Sequence, residues 1–298
     1  MSTLPDKGDA GLPAKGDAGL LAKGDAGLLI QVGDTHINSL VALCPPTVNR
    51  DGGTYRSSRG QRWLWQCWLE MWETIKRDYP TQRKVLVLTG DLGELDTKRR
   101  TAELISPNKA EVMSMIIDTL EPALRQVDSV FVIRGTQAHT GKGAWLEEAI
   151  ANDLTITVKD EENKAASWYW LRLEAEGVRF DIAHHASMGG LPWTAPNAAN
   201  RLAFMAETYY HRIGQSLPHV VMRSHNHRYA DSGGNYESLA VFTPAWSLMT
   251  EFGYRMGKEL ALASIGSVVF ECSGGEYKMR QFKYEPRHET RRVWKLKA

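Results

Sequence analysis

Apolar residues in this chain fall into two kinds of run. In the first half the runs are continuous: Leu28 to Val32, Lys84 to Thr89 and Ser129 to Ile133. An unbroken apolar run bounded by turn residues predicts a strand covered on both faces. Between the first two, Trp65, Trp68, Leu69 and Trp72 recur at three- and four-residue spacing, which predicts a helix over 61–79. This tryptophan stripe reads as core packing, with a platform for stacking bases as the alternative. Residues 37–60, rich in Pro, Gly, Asn and Ser, read as a loop, and helices are expected over about 107–126 and 143–152. Strand–helix–strand–helix–strand implies right-handed parallel crossovers.

The second half alternates instead. Residues 168–173 and 178–183 read as alternating strands and flank Glu174-Ala175-Glu176-Gly177, a hairpin signal. A helix is expected over about 198–214, and strands over 219–222, 239–242, 267–271 and 277–282, the last two joined by Cys272-Ser273-Gly274-Gly275. Parallel-type strands first and meander-type strands second predict an α/β fold: two mixed sheets face to face with helices on both outer sides.

The ends of the chain differ from its middle. Lys7-Gly8-Asp9-Ala10-Gly11-Leu12 recurs from Lys15 and again from Lys23, a period of eight that fits neither collagen nor a solenoid unit. Residues 1–26 therefore read as a flexible extension, 27–285 as the folded domain, and 286–298 as a basic tail holding Arg287, Arg291, Arg292, Lys295 and Lys297. The net charge of +1 gives no global field favouring nucleic acid or membrane. Cys44, Cys67 and Cys272 form no CxxC pair, which excludes a cysteine zinc knuckle and suits a reducing, cytoplasmic setting. No apolar run is long enough to span a bilayer.

The histidines carry the chemistry. Six of the nine lie just after β-rich runs: His36 in Asp34-Thr35-His36, His139, His184 with His185, and His225 with His227. Gly90-Asp91-Leu92-Gly93-Glu94 has the same setting with carboxylates. Strand ends are where α/β folds build their sites, and imidazole with carboxylate suits divalent first-row metals. His211, His219 and His288 carry no such signal.

The order strand–Asp-x-His, strand–Gly-Asp, strand–Gly…His, strand–His, strand–His-x-His resembles the calcineurin-like metallophosphoesterases over roughly residues 28–272. Gly33-Asp34-Thr35-His36, Gly90-Asp91-Leu92-Gly93-Glu94 and Ser224-His225-Asn226-His227 match that family's motifs closely. The compact chain is similar to phage and bacterial members. The resemblance implies a four-layer α-β-β-α sandwich and a site for two divalent ions at one sheet edge. Asp34, His36 and His227 would hold the first ion, and Asp91 would bridge the two. His225 and one of His184 and His185 would hold the second; the family's ligand stands first after the strand, which favours His184 and leaves His185 to line the pocket. His139 corresponds to the family's catalytic histidine. Mn²⁺ is the first candidate, with Fe, Zn and Ni as alternatives.

One motif departs from the family. Its third motif carries Asn-His, with the asparagine as a ligand of the second metal; here the strand is followed by Gly135-Thr136-Gln137-Ala138-His139. Gln137, Thr136 or a water would have to supply that oxygen. Arg134 is a candidate phosphate clamp or a structural ion pair, and Glu94 either backs a ligand histidine or is solvated. The expected substrate is a phosphoester. The basic tail and the Arg/Trp-rich stretch from Arg56 to Trp72 favour DNA or RNA, against a phosphatase for small molecules or phosphoproteins and a catalytically weak metal-bound scaffold.

Overall fold

The structure, a computed structural model, describes residues 27–97, 103–186, 188, 194–255 and 263–286. The expected extension over 1–26, and all but the first residue of the expected tail over 286–298, lie outside those residues. Along the chain run β1 (Gly27–Val32), β2 (Thr47–Arg50), β3 (Gly53–Arg56), α1 (Arg59–Asp78), β4 (Arg83–Leu88), α2 (Lys109–Leu124), β5 (Ser129–Val132), α3 (Gln137–Thr140) and α4 (Trp145–Asp153). They are followed by β6 (Trp170–Ala175), β7 (Val178–Ala183), α5 (Ala195–Arg212), β8 (Val220–Arg223), β9 (Ala230–Asp231), β10 (Leu239–Phe242), α6 (Glu251–Arg255), β11 (Ile265–Ser273) and β12 (Glu276–Tyr284).

Two five-stranded mixed sheets form the centre. The first has the order β12-β11-β1-β4-β5, with β1, β4 and β5 parallel, β11 antiparallel to β1, and β12 antiparallel to β11. The second has the order β6-β7-β8-β10-β9, with β7, β8 and β10 parallel and antiparallel strands at both edges.

Why the first strands are apolar throughout is visible in where their side chains go. Leu28, Ile30 and Val32 of β1 pack with Leu86, Leu88, Val130 and Val132 against α1, α2 and α4. The alternate residues Leu29, Val85, Val87 and Phe131 face the second sheet and meet Leu171, Phe180, Ile182, Val220 and Met222. A period of two with both faces covered leaves little room for polar residues, and buried Gln31 is satisfied by Thr89 Oγ1 at 2.9 Å. On the far side of the second sheet, Ala198, Ala199 and Ala203 of α5 pack on Val221, Ala240 and Phe242. The layers are therefore α-β-β-α, as the resemblance implied.

Two readings need correction. The second half is not a simple meander, because β7, β8 and β10 are parallel and β11–β12 returns to the first sheet beside β1. The stretch 37–60 is not all loop: β2 and β3 pair as a hairpin closed over Asp51-Gly52, with Gly52 at φ 81°. Such a Asp-Gly turn is a hairpin signal in its own right.

The helix expected over 61–79 is α1. It opens on a capping box, in which Ser58 Oγ accepts from the Gln61 N–H at 3.2 Å and Gln61 Oε1 accepts from the Ser58 N–H at 2.9 Å. Trp68 and Trp72 are buried, with Leu64, Met71 and Ile75 beside them, while Leu69 is exposed and leaves the stripe. The core-packing reading of the tryptophans stands for Trp68 and Trp72. Trp68 meets Trp72 and Trp246 edge-on, with ring centroids 5.4 and 5.1 Å apart. Trp246 in turn donates its backbone N–H to the Asp34 carbonyl at 3.1 Å, so this cluster braces the first site loop.

Trp68→Ala is expected to cost about 3–5 kcal/mol of unfolding free energy, the usual range for deleting a buried aromatic ring. Urea denaturation would measure it; an unchanged midpoint would mean that the cluster does not hold the outer helix to the sheet.

Candidate metal centre

Five parallel strands end at one edge. β1 delivers Asp34 and His36, β4 delivers Asp91 and Glu94, and β5 delivers Thr136, with His139 on α3; β7 delivers His184 and His185, and β8 delivers His225 and His227. The two sheets are tied there by polar bonds. His184 Nδ1 donates to the Thr89 carbonyl at 2.7 Å, and the His225 N–H donates to Asp34 Oδ2 at 3.0 Å. Ser224 Oγ donates to Thr89 Oγ1 at 2.7 Å and lies 2.8 Å from Thr243 Oγ1.

The loops turn sharply. Asp34, His36, Asp91, His225 and His227 have φ of 48°, 43°, 50°, 72° and 54°. They make up five of the nine non-glycine residues with positive φ among the described residues. Each such residue costs of order 1–3 kcal/mol, and strain of this kind gathers at functional sites. At Gly135 a Cβ would lie 2.3 Å from both the backbone nitrogen and Oδ1 of Asp91, so only glycine lets these two loops touch.

Asp34, His36 and His227 form one group of potential ligand atoms. Asp34 Oδ1 is buried and has no hydrogen-bond partner, yet the Nε2 atoms of His227, His36 and His184 lie 3.6, 3.9 and 4.0 Å away. His36 Nε2 and His227 Nε2 face each other at 2.9 Å. His36 uses Nδ1 on Glu94 Oε1 at 2.8 Å, so its Nε2 is free to bind. Two imidazole nitrogens and an orphaned carboxylate oxygen turned to one point fit a cation.

A second group is His184, His185 and His225, and a third, Asp34, Asp91 and His184, links it to the first. His184 Nε2 lies 3.0 Å from Asp91 Oδ2. Asp91 Oδ1 accepts the Thr136 N–H at 2.5 Å, which leaves Oδ2 pointing into the cluster. Glu94 is buried rather than solvated, and its Oε1 accepts from both His36 and His139, the latter at 2.7 Å. His139 thus sits against His36, with ring centroids 4.7 Å apart.

Charge follows this geometry. Burial opposes a charge on His36, but the bond to Glu94 and the carboxylates around it carry its pKa up to about 9. Burial opposes a charge on His184 too, and Asp91 and Asp34 carry it up to about 10. Burial likewise disfavours an ionised Asp91, yet His184 holds it well below the usual carboxylate range. Asp34 goes the other way, raised by burial and by the charge of Asp91. This edge has more acceptor oxygen than the protein's own donors satisfy.

The remaining expected residues fall beside the cluster. Arg134 donates Nε to Ser167 Oγ at 2.8 Å, pairs with Glu148 at 3.4 Å and stacks on Tyr169 at 4.3 Å. It also lines a cavity of about 360 Å³ with Gln137, Tyr169, His184 and His185, so its ion pair stands at the border of the site. The sequence reading missed Glu147 of α4, fully buried behind Asp91, where burial and the charge of Asp91 push its pKa to about 8. A glutamate among Leu146, Ile150 and Ala151 on the buried face of a helix was the available signal.

No family model and no curated protein matches this chain. Among solved structures it is similar to a dimetal phosphatase from Danio rerio, with 10% identity over 86% of this chain and 96% of that one and a TM-score of 0.44. It is also similar to a Vps29 single mutant from Entamoeba histolytica, with 10% identity over 87% and 99% and a TM-score of 0.40. Vacuolar protein sorting 29 from Cryptosporidium parvum shares 11% identity over 88% and 99%, with a TM-score of 0.37. At such values the chemistry has to be read from this chain's own side chains.

His36, His184 and Glu147 bind protons more tightly in the fold than in the unfolded chain. Their stabilising contributions are complete below the unfolded pKa values and are lost as pH rises through about 9, about 10 and about 8 respectively. His227, pushed down by burial, contributes stability that is already complete above 6.5. Metal-stripped protein is therefore expected to lose thermal stability as pH rises from 6.5 to about 9. Scanning calorimetry across that window checks it, and a flat Tm would mean that these histidines are not charged in the fold.

Proposed function

We propose that this chain is a metal-dependent phosphoesterase of the calcineurin-like kind, hydrolysing a phosphoester at a two-metal site. The observation that supports it most is Asp34 Oδ1, a buried carboxylate oxygen without a hydrogen-bond partner, ringed by imidazole nitrogens. Asp34, His36 and His227 would hold one cation, Asp91 would be shared, and His184 and His225 would hold the other. Two divalent ions so placed would polarise the phosphoryl oxygens and lower the pKa of a nucleophilic water.

The chain's own side chains supply the rest. Glu94 accepts from Nδ1 of His139 and fixes the ring, leaving Nε2 to carry a proton to the departing oxygen. Arg134, held by Ser167, Glu148 and Tyr169, offers a preorganised cation at the wall of the adjoining cavity, where the rest of the substrate would lie. The nucleic-acid reading is weakened, because Trp68 and Trp72 of the Arg/Trp-rich stretch are buried and cannot stack on bases. A nucleic-acid substrate therefore enters as one arm of the test.

That test is hydrolysis of p-nitrophenyl phosphate, bis-p-nitrophenyl phosphate and single- and double-stranded DNA by metal-stripped protein, with Mn²⁺, Fe²⁺, Zn²⁺ or Ni²⁺ titrated back. Metal-dependent turnover is expected, and Asp91→Asn should abolish it and lower the metal content. Full activity in that variant would sink the two-metal reading. No turnover with any metal alongside tight metal binding would favour a scaffold. His139→Ala should lower kcat by ~10²–10⁴-fold, the usual worth of a general acid, with metal content unchanged; lost metal would make His139 a ligand instead.

A further inference from the structure

The second half of the cluster differs from what an amide ligand after β5 would give. The residue in that place is Thr136. Its N–H is committed to Asp91 Oδ1 at 2.5 Å, which fixes the backbone. Its hydroxyl lies 3.1 Å from His185 Nε2, 3.2 Å from His225 Nδ1 and 3.4 Å from His184 Nε2. Gln137, the other residue that could bring an amide, lines the neighbouring cavity. What converges here is a trio of imidazoles, with ring centroids 4.7, 4.8 and 5.2 Å apart.

The trio is hard to explain as packing. His184 spends Nδ1 on the Thr89 carbonyl, so its Nε2 is the atom turned inward. His225 Nδ1 is 3.9 Å from Asp91 Oδ2, too far for a hydrogen bond. A hydroxyl has one proton and can donate to only one of the three nitrogens. His185 is exposed, so no core demands a ring there. His184 Nε2 has Asp91 Oδ2 at 3.0 Å, but His185 Nε2 and His225 Nδ1 have only the one Thr136 hydroxyl between them, so a cation among the three rings would give both a partner.

We propose that His185 takes the amide's place as a ligand. The second site is then three imidazoles and the shared Asp91. The inference rests on the two-metal reading above and deepens it. Replacing an amide oxygen by an imidazole nitrogen changes which ion the site selects. Oxygen-rich sites suit Mn²⁺ and Mg²⁺, whereas imidazole suits Zn²⁺ and Ni²⁺, and three histidines with an open position are a zinc arrangement. The second site therefore prefers Zn²⁺ or Co²⁺ to Mn²⁺, and Thr136 packs beside the ion without ligating it.

Co²⁺ titration of the metal-stripped full chain tests this, read by visible ligand-field absorption and by bound-metal analysis. The parent protein is expected to take two equivalents. His185→Ala should weaken the second by more than the ~10–100-fold typical of losing a mere supporting group, and change its spectrum. His185→Asn should bind a second ion again, with its preference moved toward Mn²⁺. Thr136→Val should keep both equivalents. Unchanged affinity and spectrum in His185→Ala would overturn the assignment and leave His185 as a pocket residue, with the two-metal reading intact. A parent chain that takes up fewer than two equivalents would overturn both.

Discussion

Two buried carboxylates at one sheet edge set the terms for everything around them. Asp34 and Asp91 stand at the ends of neighbouring parallel strands, fully shielded from solvent. Both cannot carry a charge there without help, and the protein answers with imidazoles rather than with lysine or arginine. Asp91 stays ionised through His184, while Asp34 is pushed toward its neutral form. Imidazole can hold a proton when the site is empty and give up that proton to a cation, so the same residues neutralise the edge in either condition. A fixed cation such as lysine would close off the second option.

This arrangement depends on backbone precision that only a rigid frame provides. Left-handed turns at five of the site residues are costly for residues with a Cβ. They persist because the ladders run on past the strands: the Asp34 N–H reaches Gly90 O at 2.9 Å, and the His36 N–H reaches Asp91 O at 3.0 Å. Behind the first turn, the tryptophan cluster leaves the Asp34 carbonyl one place to go. Between the sheets, the hydroxyl chain through Thr89 and Ser224 replaces apolar contact where the two edges must meet in register. A sandwich held only by Leu29, Phe131, Phe180 and their neighbours could slide; these bonds define its position.

Much of this was legible in the sequence because the signals were local. A continuous apolar run ending in Gly-Asp or Asp-x-His names both a buried strand and the residue it delivers. Burial of Trp68 and Trp72 followed from spacing alone, whereas Leu69 fell off the stripe because a helical face is only about 100° wide. What could not be read was long-range. The return of β11 to lie beside β1 pairs Leu29 with Phe270, residues that no local pattern relates. The partnership of Glu94 with both His36 and His139 needed the α3 turn. The exposed hairpin β2–β3 was hidden because Val48 is its one buried residue, too little apolar pattern to mark a strand.

On the proposed reading, the segment from Gly135 to His139 is easier to understand as rearrangement than as loss. Decay at one ligand would leave its neighbours free to drift, yet Thr136 still donates its N–H to Asp91 and its hydroxyl sits among three imidazoles. The displaced His139 is not adrift either, since Glu94 holds it against His36. Glu147 completes the balance from behind. Burial and the charge of Asp91 keep it largely protonated at neutral pH, so it fills space beside Asp91 without adding a charge. Of the four carboxyl groups at this edge, at most Asp34, Asp91 and Glu94 are charged. Two divalent cations would outweigh them, and the net field would then be positive, as the phosphoesterase reading proposed above requires of a site for an anion.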